Sequence, residues 1–222
     1  MRLVSASMER TRVMVAETVG VILAGGQARR MGGVDKALIP LGGTTLIERA
    51  IARASVQVAD LIINANGDPK RFAHLKLPVI ADRISGFVGP LAGVLAALEW
   101  MRANRPRAHW LASFSCDSPF FPMDMVARLV AKAESEGARI AVAASSDGQH
   151  HPVFAVWSSD ISSTSEDVLV GDGYRKVDDW IATFPSVRVS FAAEPIDPFL
   201  NINTPEELAR AEDFIVEQGA MG

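Results

Sequence analysis

The chain has 222 residues, of which 49% are hydrophobic and 22% are charged, and its formal charge is −4 at pH 7. These fractions are typical of globular proteins and exclude disorder over most of the length. The negative charge argues against general nucleic-acid binding, which usually needs a basic surface. A single cysteine, Cys116, excludes a disulfide framework and a four-cysteine zinc site. We therefore expect a cytoplasmic protein with no nucleic-acid partner.

The length is that of one α/β domain. The charged stretch at residues 8–12 lies where a signal peptide would have its apolar core, and no apolar run approaches the roughly 18 residues of a membrane helix. We therefore predict a flexible leader at residues 1–17, a single domain at residues 18–222 and no association with a membrane.

Short apolar runs alternate with helical patterns along the chain, which is typical of α/β folds. In chain order the pattern predicts a strand at 19–23, a helix at 45–58, strands at 61–63 and 78–81, a helix at 90–102, a strand at 110–114, a helix at 123–136, strands at 140–144 and 153–157, helices at 161–170 and 174–183, a strand at 187–191 and a helix at 204–217. We expect a three-layer, Rossmann-like fold, in which helices cover both faces of a mostly parallel sheet.

Two of the helix starts carry the residues of a capping box. Thr45 and Glu48 have the required spacing, and so do Thr204 and Glu207. Pro90 and Pro205 are expected at the first position of their helices, where proline is favoured.

Polar residues or glycine follow four of the predicted strands. They are Gly25, Asn64, Asp82 and Asp117. In open α/β sheets, ligands bind beyond the carboxyl ends of the strands. The four strand ends therefore predict one shared crevice.

The most informative segment is the glycine-rich string at residues 23–36, LAGGQARRMGGVDK. Glycines after a strand let backbone amides approach an anion closely, and Arg29, Arg30 and Lys36 add positive charge. The spacing matches neither the dinucleotide fingerprint nor the P-loop. Without further information, the string is either a phosphate-binding loop or a solvated turn.

This string resembles the motif of nucleotidyltransferases with the sugar-nucleotide-transferase fold, and most of all that of the molybdenum cofactor guanylyltransferases. Four further segments agree with that family in order and spacing: NAN at 64–66, GPLAG at 89–93, CDSP at 116–119 and NINTPEEL at 201–208. The resemblance spans roughly residues 18–216.

The resemblance implies transfer of GMP from GTP to the phosphate of molybdopterin, with Mg²⁺ as cofactor and pyrophosphate as the second product. It also implies contacts with molybdenum-insertion proteins and with apo-molybdoenzymes or their chaperones, and we expect a monomer. The alternatives are cytidylyl transfer to molybdopterin, nucleotidyl transfer to a sugar phosphate, and a non-catalytic adaptor that binds the nucleotide or the cofactor.

Carried over residue by residue, the resemblance assigns catalysis to Arg30, Lys36 and Asp117. A carboxylate at a strand end suits Mg²⁺, so Asp117 is also the expected metal ligand, although Asp before Ser-Pro is equally typical of a turn or a helix cap. The expected nucleotide-binding residues are Leu23, Ala24, Gly25, Gly26, Lys36, Asn64, Asp82, Gly89 and Asp117.

Three residues are expected on the side of the pterin: Asn201, Asn203 and Arg175. Of these, Asn203 is expected to reach phosphate or metal. Each has a structural alternative, because the asparagines precede a helix start and Arg175 would lie on a solvated helix face.

Overall fold

The computed structural model describes residues 17–25, 35–83, 89–163 and 177–220. Its main feature is a seven-stranded sheet, and a separate two-stranded hairpin precedes the first long helix. The strands are β1 (Thr18–Leu23), β2 (Pro40–Leu41), β3 (Thr44–Thr45), β4 (Asp60–Asn64), β5 (Val79–Ile80), β6 (Trp110–Ser115), β7 (Ile140–Ser145), β8 (His150–Ser158) and β9 (Ser186–Phe191).

The order of strands in the large sheet is β5-β4-β1-β6-β8-β7-β9. All neighbours pair in parallel except β8, which is antiparallel to both β6 and β7. In the register of the three central strands, Leu23 lies between Asn64 and Ser115. The carboxyl ends of β4, β1 and β6 are therefore level, and side chains that follow them meet at one edge.

Helices cover both faces of the sheet, as the sequence predicts. On one face, α1 (Leu46–Ala54) and α3 (Met125–Glu136) contribute to a core that includes Ile22 of β1. On the other, α2 (Pro90–Asn104) and α4 (Val177–Ile181) pack with Val21. The alternation of side chains along β1 thus places its neighbouring residues in separate cores.

The last helix, α5 (Pro205–Ala220), belongs to a third and smaller apolar cluster that includes Leu41 of the hairpin and Ile202. None of the described helices is long and apolar enough to span a membrane.

Both predicted capping boxes form. The backbone N–H of Thr45 donates to Glu48 Oε2 at 2.8 Å, and the N–H of Glu48 donates to Thr45 Oγ1 at 3.4 Å. The same reciprocal pair joins Thr204 and Glu207, at 2.9 and 3.2 Å. These bonds satisfy backbone donors that have no partner within the helix.

Several predicted boundaries are corrected. The first helix ends at Ala54 and not at residue 58, because the chain turns there to enter β4. The helix predicted from residue 161 is, where the structure describes it, a 3-10 helix at Ser159–Ser163. Residues 164–170 and 174–176 of the two late helical predictions, and residues 1–16 of the predicted leader, lie outside the described residues.

Two other 3-10 helices and the small hairpin have no counterpart in the sequence prediction. The 3-10 helices are Lys36–Leu38 and Pro69–Leu75. Each begins after an aspartate whose carboxylate accepts a backbone N–H two residues on, from Ala37 and Lys70 respectively. Short side-chain-to-backbone bonds of this kind direct the chain into a turn without any long-range periodicity.

Candidate active site

A cavity of about 390 Å³ opens at the carboxyl edge of the sheet. It lies where β1, β4, β5 and β6 end, at the position that the strand-end argument predicts. The residues that line it come from seven separate parts of the chain: Leu23, Ala24, Gly25, Asp35, Lys36, Ala37, Asn64, Asn66, Asp82, Gly89, Pro90, Ser115, Cys116, Asp117 and Val153.

One side of the cavity is built around Lys36. Its ammonium nitrogen donates to Asp117 Oδ2 and to Asn203 Oδ1, and the other carboxylate oxygen of Asp117 accepts from Ser115 Oγ. The side chains of Lys36 and Asp117 are only 17% and 20% exposed. Lys36 is presented by the 3-10 turn that Asp35 caps, so the last residue of the glycine-rich string lies in the cavity.

The segment at residues 197–203, which we call the strap, brings Asn203 to this cluster. The N–H of Ile202 donates to the carbonyl of Asp117 at 2.8 Å, and the Ile202 side chain is fully buried. Asn201 accepts a bond of 2.8 Å from Ser118 Oγ. The backbone of the strap is therefore fixed against the turn that carries Asp117.

The opposite side of the cavity is built around Asp82. Asn64 Nδ2 donates to Asp82 Oδ1 at 2.9 Å, and Asn66 Nδ2 donates to Asp82 Oδ2 at 2.6 Å. The backbone N–H of Asp82 returns a bond to Asn66 Oδ1 at 2.9 Å. This reciprocal pairing joins the ends of β4 and β5, and each carboxylate oxygen keeps further capacity to accept a hydrogen bond.

Gly93 allows α2 to approach Asn64. A Cβ at position 93 would lie 2.8 Å from Cγ of Asn64 and from Cδ2 of Leu23, and closer still to Asn64 Oδ1. Only glycine fits there without displacing the Asn64 amide. In contrast, a Cβ at Gly25 would meet nothing closer than 3.7 Å, and one at Gly89 would meet nothing within 4 Å. Neither of these two glycines is required by contacts among the described residues.

The cluster around Lys36 also bears on metal binding. Oxygens of Asp117 and Asn203 already converge on one cation, the ammonium group of Lys36. A carboxylate and an amide oxygen are ligands that a hard divalent cation accepts, with phosphate oxygens and water completing its shell. No group of three or more His, Cys, Asp and Glu suited to a metal occurs in the part of the chain that the structure describes. A cation here would therefore depend on its substrate for further ligands.

Cys116 lies beside Asp117 but is buried. Burial raises the pKa of its thiol, and the neighbouring Asp117 carboxylate raises that pKa further. Because the thiolate and not the thiol is the nucleophile, Cys116 is a packing residue and not a reactive group.

Of the residues proposed from sequence, eight line this cavity: Leu23, Ala24, Gly25, Lys36, Asn64, Asp82, Gly89 and Asp117. Asn203 touches Lys36, while Asn201 contacts Ser118 outside the lining. Gly26, Arg30 and Arg175 lie outside the described residues.

The sequence prediction missed Asn66 and Ser115 as members of the site. Each stands within two residues of a residue that was identified, Asn64 and Asp117 respectively. Their polarity at a strand end is the signal that would have found them.

Comparison with known proteins identifies the family. Residues 20–184 match the model of the MobA-like NTP transferase domain. The chain belongs to this family. As a MobA-like NTP transferase it is a nucleotidyltransferase. The cavity lies beyond the carboxyl ends of the strands, where open α/β sheets bind ligands.

Curated members of the family resemble the chain over nearly their whole length. A molybdenum cofactor guanylyltransferase from Nitrobacter hamburgensis is 48% identical over 207 residues, which are 93% of this chain and 99% of the relative. One from Rhodopseudomonas palustris (strain BisB5) is 49% identical over 195 residues, or 88% and 92%. The crystal structure of molybdopterin-guanine dinucleotide biosynthesis protein A from Archaeoglobus fulgidus superposes with a TM-score of 0.70 at 25% identity, covering 90% of this chain and 99% of that one.

Proposed function

We propose that this chain transfers GMP from GTP to the terminal phosphate of molybdopterin and releases pyrophosphate. The observation that carries the proposal is the convergence of Lys36, Asp117 and Asn203 at one side of a cavity whose other side presents Asn64 and Asp82. Relatives with nearly half of their residues identical carry the name molybdenum cofactor guanylyltransferase, which supports guanine as the base and molybdopterin as the acceptor.

In the proposed reaction a phosphate oxygen of molybdopterin attacks the α-phosphorus of GTP. The bond from that phosphorus to the bridging oxygen of the β-phosphate breaks, and pyrophosphate leaves with the electron pair. The attacking oxygen is already ionised, so no strong general base is needed. Catalysis then depends on positioning the reactants and on neutralising charge.

Lys36 is the residue that we assign to the leaving pyrophosphate. An ammonium group has three donors, and two of them bond to Asp117 and Asn203. The third has no acceptor among the residues that the structure describes, so we assign it to a phosphate oxygen. The amine would then already be oriented before the nucleotide arrives. Arg30 is proposed for the same phosphate tail on the family resemblance alone.

Mg²⁺ is proposed as the cofactor, held by Asp117 with Asn203 as a second oxygen ligand. When bound, it would neutralise negative charge on the phosphates of GTP. The protein's own contribution would be to hold these two oxygens in place. Ser115 orients the carboxylate of Asp117, and the strap fixes Asn203.

On the other side of the cavity, Asp82 is proposed to orient the nucleoside. The amides of Asn64 and Asn66 hold its carboxylate, whose remaining lone pairs accept N–H or O–H donors of a base or a ribose. Gly25 and Gly89 would let a ligand approach the backbone, which explains glycine at two positions where no contact among the described residues requires it.

Pyrophosphate release, measured with each of the four common nucleoside triphosphates, tests the proposal. With molybdopterin present, GTP should be the only nucleotide that supports pyrophosphate release. Without molybdopterin, pyrophosphate release from GTP should fall to background. Release with CTP would favour the cytidylyl alternative, and release that requires a sugar phosphate would change the acceptor. Binding of GTP without any release would favour the non-catalytic adaptor.

Residues 18–222 are proposed to act as one nucleotidyltransferase domain, and the protein as a monomer in the cytoplasm. Proteins that insert molybdenum, and apo-molybdoenzymes or their chaperones, are the proposed partners because they would supply the substrate or accept the product.

A further inference from the structure

A second cavity, of about 840 Å³, lies outside the active site between α1, α5 and residues 192–198. We call it the α1–α5 groove. Its lining is largely apolar: it includes Phe120, Phe191, Phe214, Ile196, Ile215 and four prolines. Phe120 and Phe214 meet edge to face at 5.3 Å, so the groove has a packed aromatic wall.

Two arginines of α1 line the groove one helical turn apart, and neither has a carboxylate partner among the described residues. Arg49 Nε donates to the carbonyl of Leu41 at 2.7 Å, and Arg53 Nε donates to that of Phe121 at 2.7 Å. Like charges at this spacing repel each other. Burial also lowers the pKa of Arg53, because the charged form is partly removed from water.

Within the described ranges, no other charged side chain that lines the groove forms an ion pair with either arginine. Glu48 is engaged in the cap of α1, where Thr45 donates to it from both N and Oγ1. Glu194 is exposed. Arg128 adds a third cation: its Cζ lies 4.0 Å from the ring centre of Phe191, and its Nη1 lies 3.8 Å from Asp124 Oδ2. After their bonds to backbone carbonyls, Arg49 and Arg53 retain several N–H donors, and a guanidinium fork matches a carboxylate.

Exposed apolar side chains occur close in sequence to the lining of the groove. Three large hydrophobic residues of the described chain are exposed: Val56, Met123 and Val216, at 61%, 51% and 70%. Each lies within three residues of one that lines the groove, namely Arg53, Pro122 and Ile215. An apolar groove with exposed apolar neighbours, aromatic walls and arginines has the composition of a protein interface.

We propose that the α1–α5 groove docks a segment of a partner protein in which acidic side chains alternate with bulky apolar ones. The carboxylates would pair with Arg49 and Arg53, and the apolar side chains would pack against Phe120 and Phe214. The floor of the groove continues into the strap, since Pro198 lines the groove and Asn203 of the same segment contacts Lys36. A partner docked here would therefore lie next to the segment that completes the active site.

The test uses a fluorescein-labelled peptide of about twelve residues that alternates glutamate with leucine and phenylalanine, a length sufficient to span such a groove. Anisotropy should show saturable binding to the full chain. Two control peptides, one with lysine for glutamate and one with alanine for the apolar residues, should bind about tenfold or more weakly, since each lacks one half of the proposed chemistry.

The double variant Arg49→Ala/Arg53→Ala should weaken binding of the first peptide by about ten- to a hundredfold, the range expected for a lost charge-assisted contact. The matched control, Arg102→Ala/Arg107→Ala, removes two exposed arginines elsewhere and should leave the affinity unchanged. GTP affinity should be the same in all three proteins, because none of these arginines lines the active-site cavity.

Val216→Asp tests the groove without removing Arg53, whose Nε bonds to the backbone carbonyl of Phe121. Val216 is exposed, so the substitution should not affect the fold, while its charge should repel the acidic peptide. Equal binding of the peptide to wild type and to both groove variants, or no binding to wild type, would overturn the proposal. So would a wild-type dimer that Val216→Asp converts to a monomer while the peptide fails to compete, because the occupant would then be a second copy of this chain.

Discussion

Lys36 donates hydrogen bonds to two residues that are far from it in sequence, Asp117 and Asn203. We propose that this shared contact lets one side chain take part in both metal binding and phosphate binding. Its partner Asn203 is 167 residues away along the chain. Because the ammonium is held by Asp117 and Asn203 before any ligand binds, little side-chain entropy remains to be lost when a phosphate adds to it. The amine is thus preorganised for the contact with the leaving pyrophosphate that we propose.

Replacing Lys36 by alanine should weaken GTP binding more than GMP binding. A charge-assisted contact contributes roughly 1.5–3 kcal/mol, so GTP affinity should fall about ten- to a hundredfold, while GMP, which has no β- or γ-phosphate, should change little. Calorimetric titration of both nucleotides into the same variant measures the difference. Equal losses would mean that Lys36 supports the loop instead of contacting the leaving pyrophosphate. Lys70→Ala, at an exposed position, is the matched control.

Asp117→Ala should abolish GMP transfer and leave the protein folded. The carboxylate accepts hydrogen bonds from Lys36 and Ser115 and is the proposed metal ligand. The effect of the substitution should therefore appear in the rate of transfer. Ser115→Ala removes only the bond that orients the carboxylate and should reduce the rate much less. Circular dichroism establishes that both variants fold. A folded Asp117→Ala protein with the wild-type rate would refute the assignment.

At the scale of elements, the close approach of α2 to the end of β4 depends on the absence of a Cβ atom at Gly93. Gly93→Ala should lower the melting temperature even though alanine favours a helix by about 1 kcal/mol, because the new methyl group collides with Leu23 and Asn64. Gly89→Ala, where a Cβ meets nothing within 4 Å, should leave the melting temperature unchanged. Thermal denaturation of the two variants side by side decides this, and an unchanged or raised value for Gly93→Ala would contradict the geometry.

The cap of α1 should make a pH-dependent contribution to stability. The hydrogen bonds from Thr45 hold the pKa of Glu48 below its usual 4.5. A carboxyl whose folded pKa is lowered stabilises the protein fully above its unfolded pKa, and this stabilisation is lost as the pH falls through the folded pKa. Thr45→Ala should therefore lower the free energy of unfolding by about 1 kcal/mol at neutral pH.

The difference in the free energy of unfolding between wild type and Thr45→Ala should narrow as the pH falls below 4.5, because Glu48 is then progressively protonated in the folded protein. Urea denaturation at neutral pH and at the lower pH measures this change. A difference that stays constant or widens on acidification would show that the carboxylate takes no part in the cap. Ser55→Ala, which removes an exposed bond to the carbonyl of Ala52, has no acidic partner and should show no such narrowing.

Local sequence rules predicted elements well where one short segment determines the outcome. Both capping boxes are confirmed because each is complete within four residues, and the strands around β1 are confirmed because continuous apolar runs are typical of buried parallel strands. The direction of β8 could not be predicted, because an apolar run does not indicate whether the strand pairs parallel or antiparallel with its neighbours. The 3-10 turns were missed because a single aspartate bond sets each of them.

For the whole molecule, parallel topology explains how much of the site was predictable. Residues that follow parallel strands meet at one edge whatever the details of packing, so Gly25, Asn64, Asp82 and Asp117 could be placed together from the sequence. The contact between Lys36 and Asn203 could not, because it depends on the path of the strap and on the reach of two side chains. Family resemblance pointed to Asn203, but only the fold brings it to this amine.

The measurement that tests the account most directly follows the α-phosphate itself. GTP labelled at the α-phosphorus is incubated with the protein, Mg²⁺ and molybdopterin, and the products are separated and identified by mass spectrometry. We expect the label in a molybdopterin guanine dinucleotide, in an amount equal to the pyrophosphate released, and we expect no such product from CTP. Label that remains in GTP, or that appears in free GMP or in a product without the pterin, would contradict the proposed transfer.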